Sequence, residues 1–260
     1  ADPYEDPVDS GEYTASLEVS YGGMTATASV KYTIVDYQPL DDNTRIEIYK
    51  DGNLLEGAPR VGDKLTVDCD PVSYPWYEWF VEDGEIVDKI GEGKEYTVTP
   101  EDYNKTIFVR VYQLKDPEEQ HLESAPFRNS KATSKVEASM IVKKEEVTYG
   151  FTTFEDAIAF AGEDNNVITL IENVVANNVI VDKSVILDLN SKRITIGGPE
   201  EIEQETLQGF IVDNDAVFVV HDSTENGGGD IYSNRDNVTA FTVLSTLGLV
   251  DGCNIQLTGN

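Results

Sequence analysis

The chain is poor in the residues from which catalytic and metal centres are most often built. Its 260 residues include two cysteines and two histidines. Two cysteines cannot form the multi-bridge framework that staples small secreted domains. Cys69 and Cys253 fall in different predicted domains, so both are expected unpaired, with Cys253 a buried, inert thiol on a coil. His121 lies in a charged stretch and His221 follows a strand, neither with an evident serine or cysteine partner, so both read as surface or turn residues. Basic residues are scarce as well, 19 against 49 acids for a net charge of −30. Nucleic acid is thereby excluded as a partner, because phosphate binding needs clustered lysine and arginine. The acidity is global rather than a tail, −6 over residues 1–40, −10 over 41–150 and −14 over 151–260, and reads as a solubilised surface. No apolar run approaches the length of about 20 residues that a membrane-spanning helix requires.

What is present is β pattern. Four short runs rich in β-branched residues, Val167–Ile171, Val179–Val181, Val185–Leu189 and Ile194–Ile196, are separated by Asn, Asp, Lys and Ser, which supply turn chemistry. The triplet Val179-Ile180-Val181 returns as Phe210-Ile211-Val212 and again as Phe241-Thr242-Val243, 31 residues on each time. Val185–Leu189, Val217–Val220 and Leu247–Val250 follow in the same phase. A constant period of this length marks a solenoid whose coils bury their apolar faces against one another. With little helix between the short strands, a parallel β-helix is predicted.

Upstream, Tyr13–Tyr21 and Met24–Val35 alternate apolar and polar residues about Gly22-Gly23, the pattern of a hairpin. A hairpin alone is marginal in water, so it needs a further partner. Residues 38–43 read as a linker. From Arg45 to Val142 come candidate strands Arg45–Lys50, Lys64–Cys69, Tyr77–Glu82, Glu95–Thr99, Thr106–Leu114 and Val136–Val142, with turns at Asp51-Gly52 and Asp83-Gly84, the spacing of a β-sandwich. Lys115–Glu123 reads as a charged, exposed loop. One helix is predicted over Thr152–Gly162, with Thr152 and Glu155 at capping-box spacing. It would cover the open end of the coil.

These stretches carry resemblances. The run Ser10-Gly11-Glu12-Tyr13-Thr14 resembles the penultimate strand of bacterial immunoglobulin-like modules. Gly57-x-Pro59-x-Val61-Gly62-Asp63-x-Leu65, Tyr77-x-Trp79, Glu95-Tyr96-Thr97-Val98-Thr99-x-x-Asp102 and Ile107-x-Val109 are similar to the immunoglobulin-like repeats of bacterial surface proteins. The resemblance implies that Tyr-x-Trp faces the core. Alternation agrees, placing Tyr77, Trp79 and Val81 on one face and Trp76, Glu78 and Phe80 on the other. Cys69 stands where an antibody domain carries one disulfide cysteine, but the facing strand offers Val109 and Val111. Phe154-Glu155-Asp156-Ala157-Ile158, Ile168-Thr169-Leu170 and Leu187-Asp188-Leu189-Asn190 resemble the N-terminal cap of pectate-lyase-like right-handed β-helices in bacterial surface proteins. The expected fold is therefore all-β, an Ig-like β-sandwich followed by a right-handed parallel β-helix with one N-terminal capping helix. The expected division is 1–37 hairpin, 38–43 linker, 44–146 sandwich and 147–260 β-helix. The opening Ala1-Asp2-Pro3 and an end in mid-repeat at Asn260 lead us to expect a piece of a longer secreted protein.

Candidate sites are few. Asn226-Gly227-Gly228-Gly229 lacks the Lys-Ser/Thr of a phosphate loop and reads as a turn. Tyr74-Pro75-Trp76, leading into the core strand, is the candidate binding segment, because exposed aromatics anchor sugars and proteins. Packing is the competing role for Trp76. Asp182 and Asp213 fall at the same position of consecutive coils, about 5 Å apart at strand spacing. Calcium would suit such a pair, whereas turn capping would need no metal, and the third repeat offers Leu244 there. A polysaccharide lyase would need a base beside such acids, and residues 151–260 offer only Lys183, Lys192, Arg193 and Arg235. The resulting expectation is a non-enzymatic bacterial surface or secreted protein that binds a host or environmental glycan or extracellular protein. The alternatives are a polysaccharide-degrading enzyme with its groove in further coils, or a structural stalk. No cofactor is expected beyond the calcium reading.

Overall fold

Alternating apolar residues, turn-forming Asn, Asp and Gly, and a single helical pattern give an all-β chain with one α-helix among the described residues. The computed structural model describes residues 11–34, 40–114, 127–162, 166–197, 207–225, 227–249 and 254–257. His121, Cys253, Asn226 and the charged stretch 115–123 lie outside these. The described residues fall into two compact units, one drawn from Ala1–Arg45, Cys69–Trp76 and Val111–Asn129, the other from Ile46–Asp68, Tyr77–Arg110 and Ser130–Asn260.

In the first unit, β1 (Gly11–Tyr21) and β2 (Met24–Ile34) form an antiparallel hairpin with Tyr13 opposite Tyr32 and Tyr21 opposite Met24. Gly22 and Gly23 turn it at φ of 58° and 79°, the paired left-handed conformation that a tight hairpin turn demands. Elsewhere in this unit, the Gln113 carboxamide accepts from the Leu40 N–H at 2.9 Å and donates to the Ser73 carbonyl at 2.8 Å. One side chain thus ties two loops together.

The described residues between 46 and 135 build two four-stranded sheets. One has the order β4 (Asn53–Leu54), β3 (Ile46–Lys50), β5 (Lys64–Cys69), β8 (Glu95–Thr97). The other has the order β10 (Phe127–Lys135), β9 (Thr106–Gln113), β6 (Pro75–Asp83), β7 (Ile86–Glu92). Tyr77, Trp79 and Val81 are buried, as alternation predicts. The Trp79 indole stacks on Tyr96 at 5.8 Å and donates to the Gly93 carbonyl at 3.0 Å. On the opposite face of β6, Glu78 and Phe80 are buried too. Phe80 stacks on Phe108 beneath the Arg110 guanidinium, and Glu78 meets Lys89 at 2.6 Å. Long cationic side chains cover that face with their stems. The motif residues have local work: Gly62, at φ 92°, donates to the Val98 carbonyl, and buried Asp102 accepts from the Tyr96 hydroxyl and the Thr99 N–H. Of the predicted strand Val136–Val142, only Met140–Val142 is strand, the start of β11 (Met140–Lys144); Val136–Ser139 is a break after β10, and β4, β7 and β10 were not predicted.

From Met140 onward, β11 pairs antiparallel with β12 (Val147–Phe151), and α1 follows over Phe154–Ala161. Its N-cap is Thr153, whose hydroxyl accepts from the Asp156 N–H, not Thr152 as the capping-box spacing suggested. Thr152 instead donates to the Val61 carbonyl at 3.0 Å.

The chain then visits three sheets in rotation. β13 (Val167–Leu170), β14 (Val174–Ala176) and β15 (Val179–Val181) are followed by β16 (Val185–Asp188), β17 (Arg193–Ile196) and β18 (Leu207–Val212). Next come β19 (Val217–His221), β20 (Asp230–Ser233), β21 (Val238–Val243), β22 (Thr246–Leu249) and β23 (Asn254–Leu257). From β13 on, each strand pairs in parallel with the strand three elements later. Val179 faces Phe210 and Phe210 faces Phe241, the 31-residue echo of the sequence. That period holds in one sheet only: Val185 faces Phe218 and Phe218 faces Leu247, steps of 33 and 29. Loops at the corners absorb the differences. Asn178, Asn190, Asn214, Asp215 and Asn237 turn corners with positive φ, a conformation that Asn and Asp tolerate better than most residues. The interior is apolar and fully buried, from Leu170 and Val181 through Phe210, Val212 and Phe218 to Ile231. Among the described residues no helix is long and apolar enough to cross a membrane.

Candidate functional site

The Tyr74–Trp76 segment belongs to the first unit. Tyr74 stands at φ 53° with 40% of its surface exposed. Bulky residues rarely enter the left-handed region, and holding one there costs about 1–3 kcal/mol. The hold comes from the Leu114 N–H, which donates to the Tyr74 carbonyl at 3.0 Å, beside the Gln113–Ser73 bond. Trp76 is half-buried, with its indole nitrogen out of reach of solvent. The two candidate aromatics therefore differ: Tyr74 is presented outward, and Trp76 is largely packed away.

Asp182 and Asp213 follow the paired residues Val181 and Val212, so they occupy matching positions of consecutive turns. Both are exposed, and the Asp213 N–H donates to the Val181 carbonyl at 3.0 Å. Leu244 repeats that backbone bond to Val212 at 2.9 Å. Asp213 turns one carboxylate oxygen to the Asn214 N–H at 2.8 Å, a local turn role. Among the described residues no group of three or more His, Cys, Asp or Glu could hold a metal ion.

The acids with the densest partners are ones that the sequence reading passed over. Asp222 is buried and accepts from the Ser191, Thr224, Gly228 and Gly229 N–H groups and from the Thr224 hydroxyl, at 2.6 to 3.3 Å. Burial alone would raise its pKa, but the Thr224 hydroxyl and the Thr224, Gly228 and Gly229 N–H groups outweigh it and hold the carboxyl well below the usual range. The run Gly227-Gly228-Gly229 is the visible trace of this cage. A Cβ on Gly229 would lie 2.5 Å from the Leu189 Cβ and 2.7 Å from Asp222 Oδ2. Asp188, also buried, accepts from the N–H groups of Asn190 and Ser223. These carboxylates staple residues of β16 and its following turn to those after β19. Two of the four basic residues of residues 151–260 are similarly engaged: Arg193 binds Asp230 with two nitrogens at 2.8 Å, and Lys183 donates to the Ala159 carbonyl at 3.0 Å. His221 is half-buried in β19, and Cys69 is in no disulfide.

A second polar cluster lies within the larger unit. The Arg60 guanidinium grips both carboxylate oxygens of Glu172 and donates to the Ser139 hydroxyl at 2.8 Å, while Ser139 donates to Glu172 at 2.7 Å. Burial raises the Glu172 pKa, but the bonds from Arg60 and then Ser139 prevail and leave it below the ordinary carboxylate value. With Thr152 bonded to Val61, this clamp fastens the loop before β5 to the first turn of the coil. Its partners are far apart in sequence, and no local pattern marks them.

The chain matches no family model, no curated protein and no solved structure.

Proposed function

We propose that the chain is a non-enzymatic, ligand-binding part of a bacterial extracellular or cell-surface protein, in which an Ig-like sandwich is followed by a right-handed parallel β-helix capped by α1. The ligand is a host or environmental glycan or an extracellular protein, and Tyr74 is its anchor, with Trp76 as support behind it. The observation that carries the reading is Tyr74, an exposed aromatic side chain held at φ 53° by a backbone bond to Leu114. Strain stored at an exposed aromatic is the kind of departure that accompanies recognition sites. The immunoglobulin-like and β-helix motifs, and a strongly acidic composition throughout, support a surface setting.

The test is a screen of the whole chain against arrayed glycans and extracellular matrix proteins, with and without calcium. A saturable ligand whose affinity falls about tenfold or more with Tyr74→Ala, and less with Trp76→Ala, is expected. Binding that survives Tyr74→Ala moves the site elsewhere. A screen without ligands removes the proposal in favour of a spacer role, and depolymerisation of any arrayed polysaccharide removes it in favour of an enzyme.

A further inference from the structure

The three sheets of the coil do not begin alike. The first strand of one, β13, is closed by β11, with Met140 opposite Leu170 and Val142 opposite Ile168. The first strand of the second, β15, lies against α1, where Lys183 donates to the Ala159 carbonyl and Phe154 meets Phe210 edge-on at 5.3 Å. The first strand of the third, β14, is the outer strand of its sheet. Its backbone makes no hydrogen bond outside the ladder to β17 among the described residues. A cleft of about 450 Å³ runs beside it, lined by the strand itself, by Asn173 and Asn177 at its two ends, and by Thr153 and Glu155 at the start of α1.

An open strand edge with a cleft beside it is an acceptor for another strand. Here the edge is also held in place. The Asn173 carboxamide oxygen accepts from the Arg193 N–H at 2.8 Å, and that of Asn177 from the Gly197 N–H at 2.9 Å, so both ends of β14 are pinned to the next turn. A pinned edge loses little freedom when a partner adds to it. We propose that β14 accepts an extended, basic peptide segment as an additional outer strand. A second backbone is the partner whose donors and acceptors recur at strand spacing, about 3.3 Å per residue. Exposed Glu155 at the rim, on a chain of net charge −30, selects lysine or arginine over acidic side chains. The cleft volume lies within the usual range for ligand sites, roughly 300–1,000 Å³. This site is distinct from Tyr74 and does not depend on its role.

The test is a titration of the isotope-labelled chain with a synthetic peptide of alternating threonine and lysine, followed by backbone amide spectra. A twin peptide, N-methylated at alternate residues, keeps the side chains and loses the backbone donors. The expected result is saturable shifts and exchange protection at Val174–Asn177, with Kd on the order of 10⁻⁴ M for so short an edge. The twin should bind about tenfold more weakly or worse, the worth of one lost hydrogen bond. Glu155→Lys, an exposed site whose variant can be checked for folding by circular dichroism, should weaken the unmodified peptide at low salt. The proposal is overturned if these amides stay unmoved at millimolar peptide, or if the twin binds equally well. It is likewise overturned if a neutral oligosaccharide shifts the same amides while the peptide does not.

Discussion

The hairpin β1–β2 and the three parallel sheets from β13 to β23 are written in the same alternating pattern and have opposite fates. On the hairpin, Tyr13, Ala15, Leu17, Val19 and Tyr21 share one face with Met24, Ala26, Ala28, Val30 and Tyr32, and most of its large side chains are exposed, Leu17 by 66% and Tyr21 by 86%. In the coil, Val181, Phe210 and Val212 are fully buried by strands only three to six residues long. Length of strand does not decide burial, and neither does hydrophobicity. The coil buries its alternate residues because each turn has a neighbour above and a wall opposite. The hairpin has no third strand among the described residues. Period-two alternation says which side chains share a face, and the topology says whether that face is covered.

The largest expected break in this comparison is Phe210→Ala. Its ring meets Phe154, Phe218 and Phe241 at 5.1 to 5.8 Å, and its loss should cost about 3–5 kcal/mol. Leu17→Ala on the hairpin should stay within about 0.5 kcal/mol, with urea unfolding followed by circular dichroism as the check on both. Next comes Gly229→Ala, which forces a methyl group into Leu189 and Asp222 and should destabilise by about 1–3 kcal/mol. The same change at Gly84, where a Cβ meets nothing within 4 Å, meets no such clash and carries only the strain of its φ of 63°. A smaller effect belongs to the clamp. Arg60 and Glu172 are partly exposed, so Arg60→Met should cost about 1 kcal/mol at neutral pH. Because Glu172 titrates below its unfolded value of about 4.3, its contribution is complete above that pH and is lost as pH falls through the folded value. Wild type and Arg60→Met should therefore converge in stability on acidification below that point, as paired melting curves would reveal. The smallest effect has the opposite sign. Tyr74→Gly removes left-handed strain and should stabilise by up to about 1 kcal/mol while removing the proposed anchor. Loss of stability in that variant would mean that the ring packs rather than presents itself.

The 31-residue echo was legible because it is carried by residues that pair in parallel with their own equivalents, Val179 with Phe210 and Phe210 with Phe241. The helix was legible for its amphipathic spacing, though Thr152 and Thr153 offer equal capping chemistry and only the bond from Thr152 to Val61 separates them. Most of the missed strands share a cause, although β20, buried and inside its sheet, was missed as well. β7 and β10 are the two outer strands of one sheet and β14 is the outer strand of another. An outer strand can be polar, like Asn129–Lys135, or exposed along most of its length, like Ile86–Glu92, so burial imposes no pattern on it. The Arg60–Glu172 clamp joins residues 112 positions apart, a distance over which no periodicity speaks. Asp222 was hidden for a different reason. Apart from the Thr224 hydroxyl its partners are backbone N–H groups, and the sequence records only the glycine run whose Gly228 and Gly229 let them approach.

The uneven corners of the coil have a bearing on how such a chain can change. From Val174 to Ile194 to Ile231 to Ile255, successive partners in one sheet are separated by 20, 37 and 24 residues, yet the ladder is unbroken. The cost of a longer loop grows only with the logarithm of its length. Extra residues at a corner therefore leave every rung in register, whereas a single extra residue inside a rung would turn each following side chain inside out. The rungs act as fixed shelving and the corners as open brackets, so new surface can be added to this protein without renegotiating its interior.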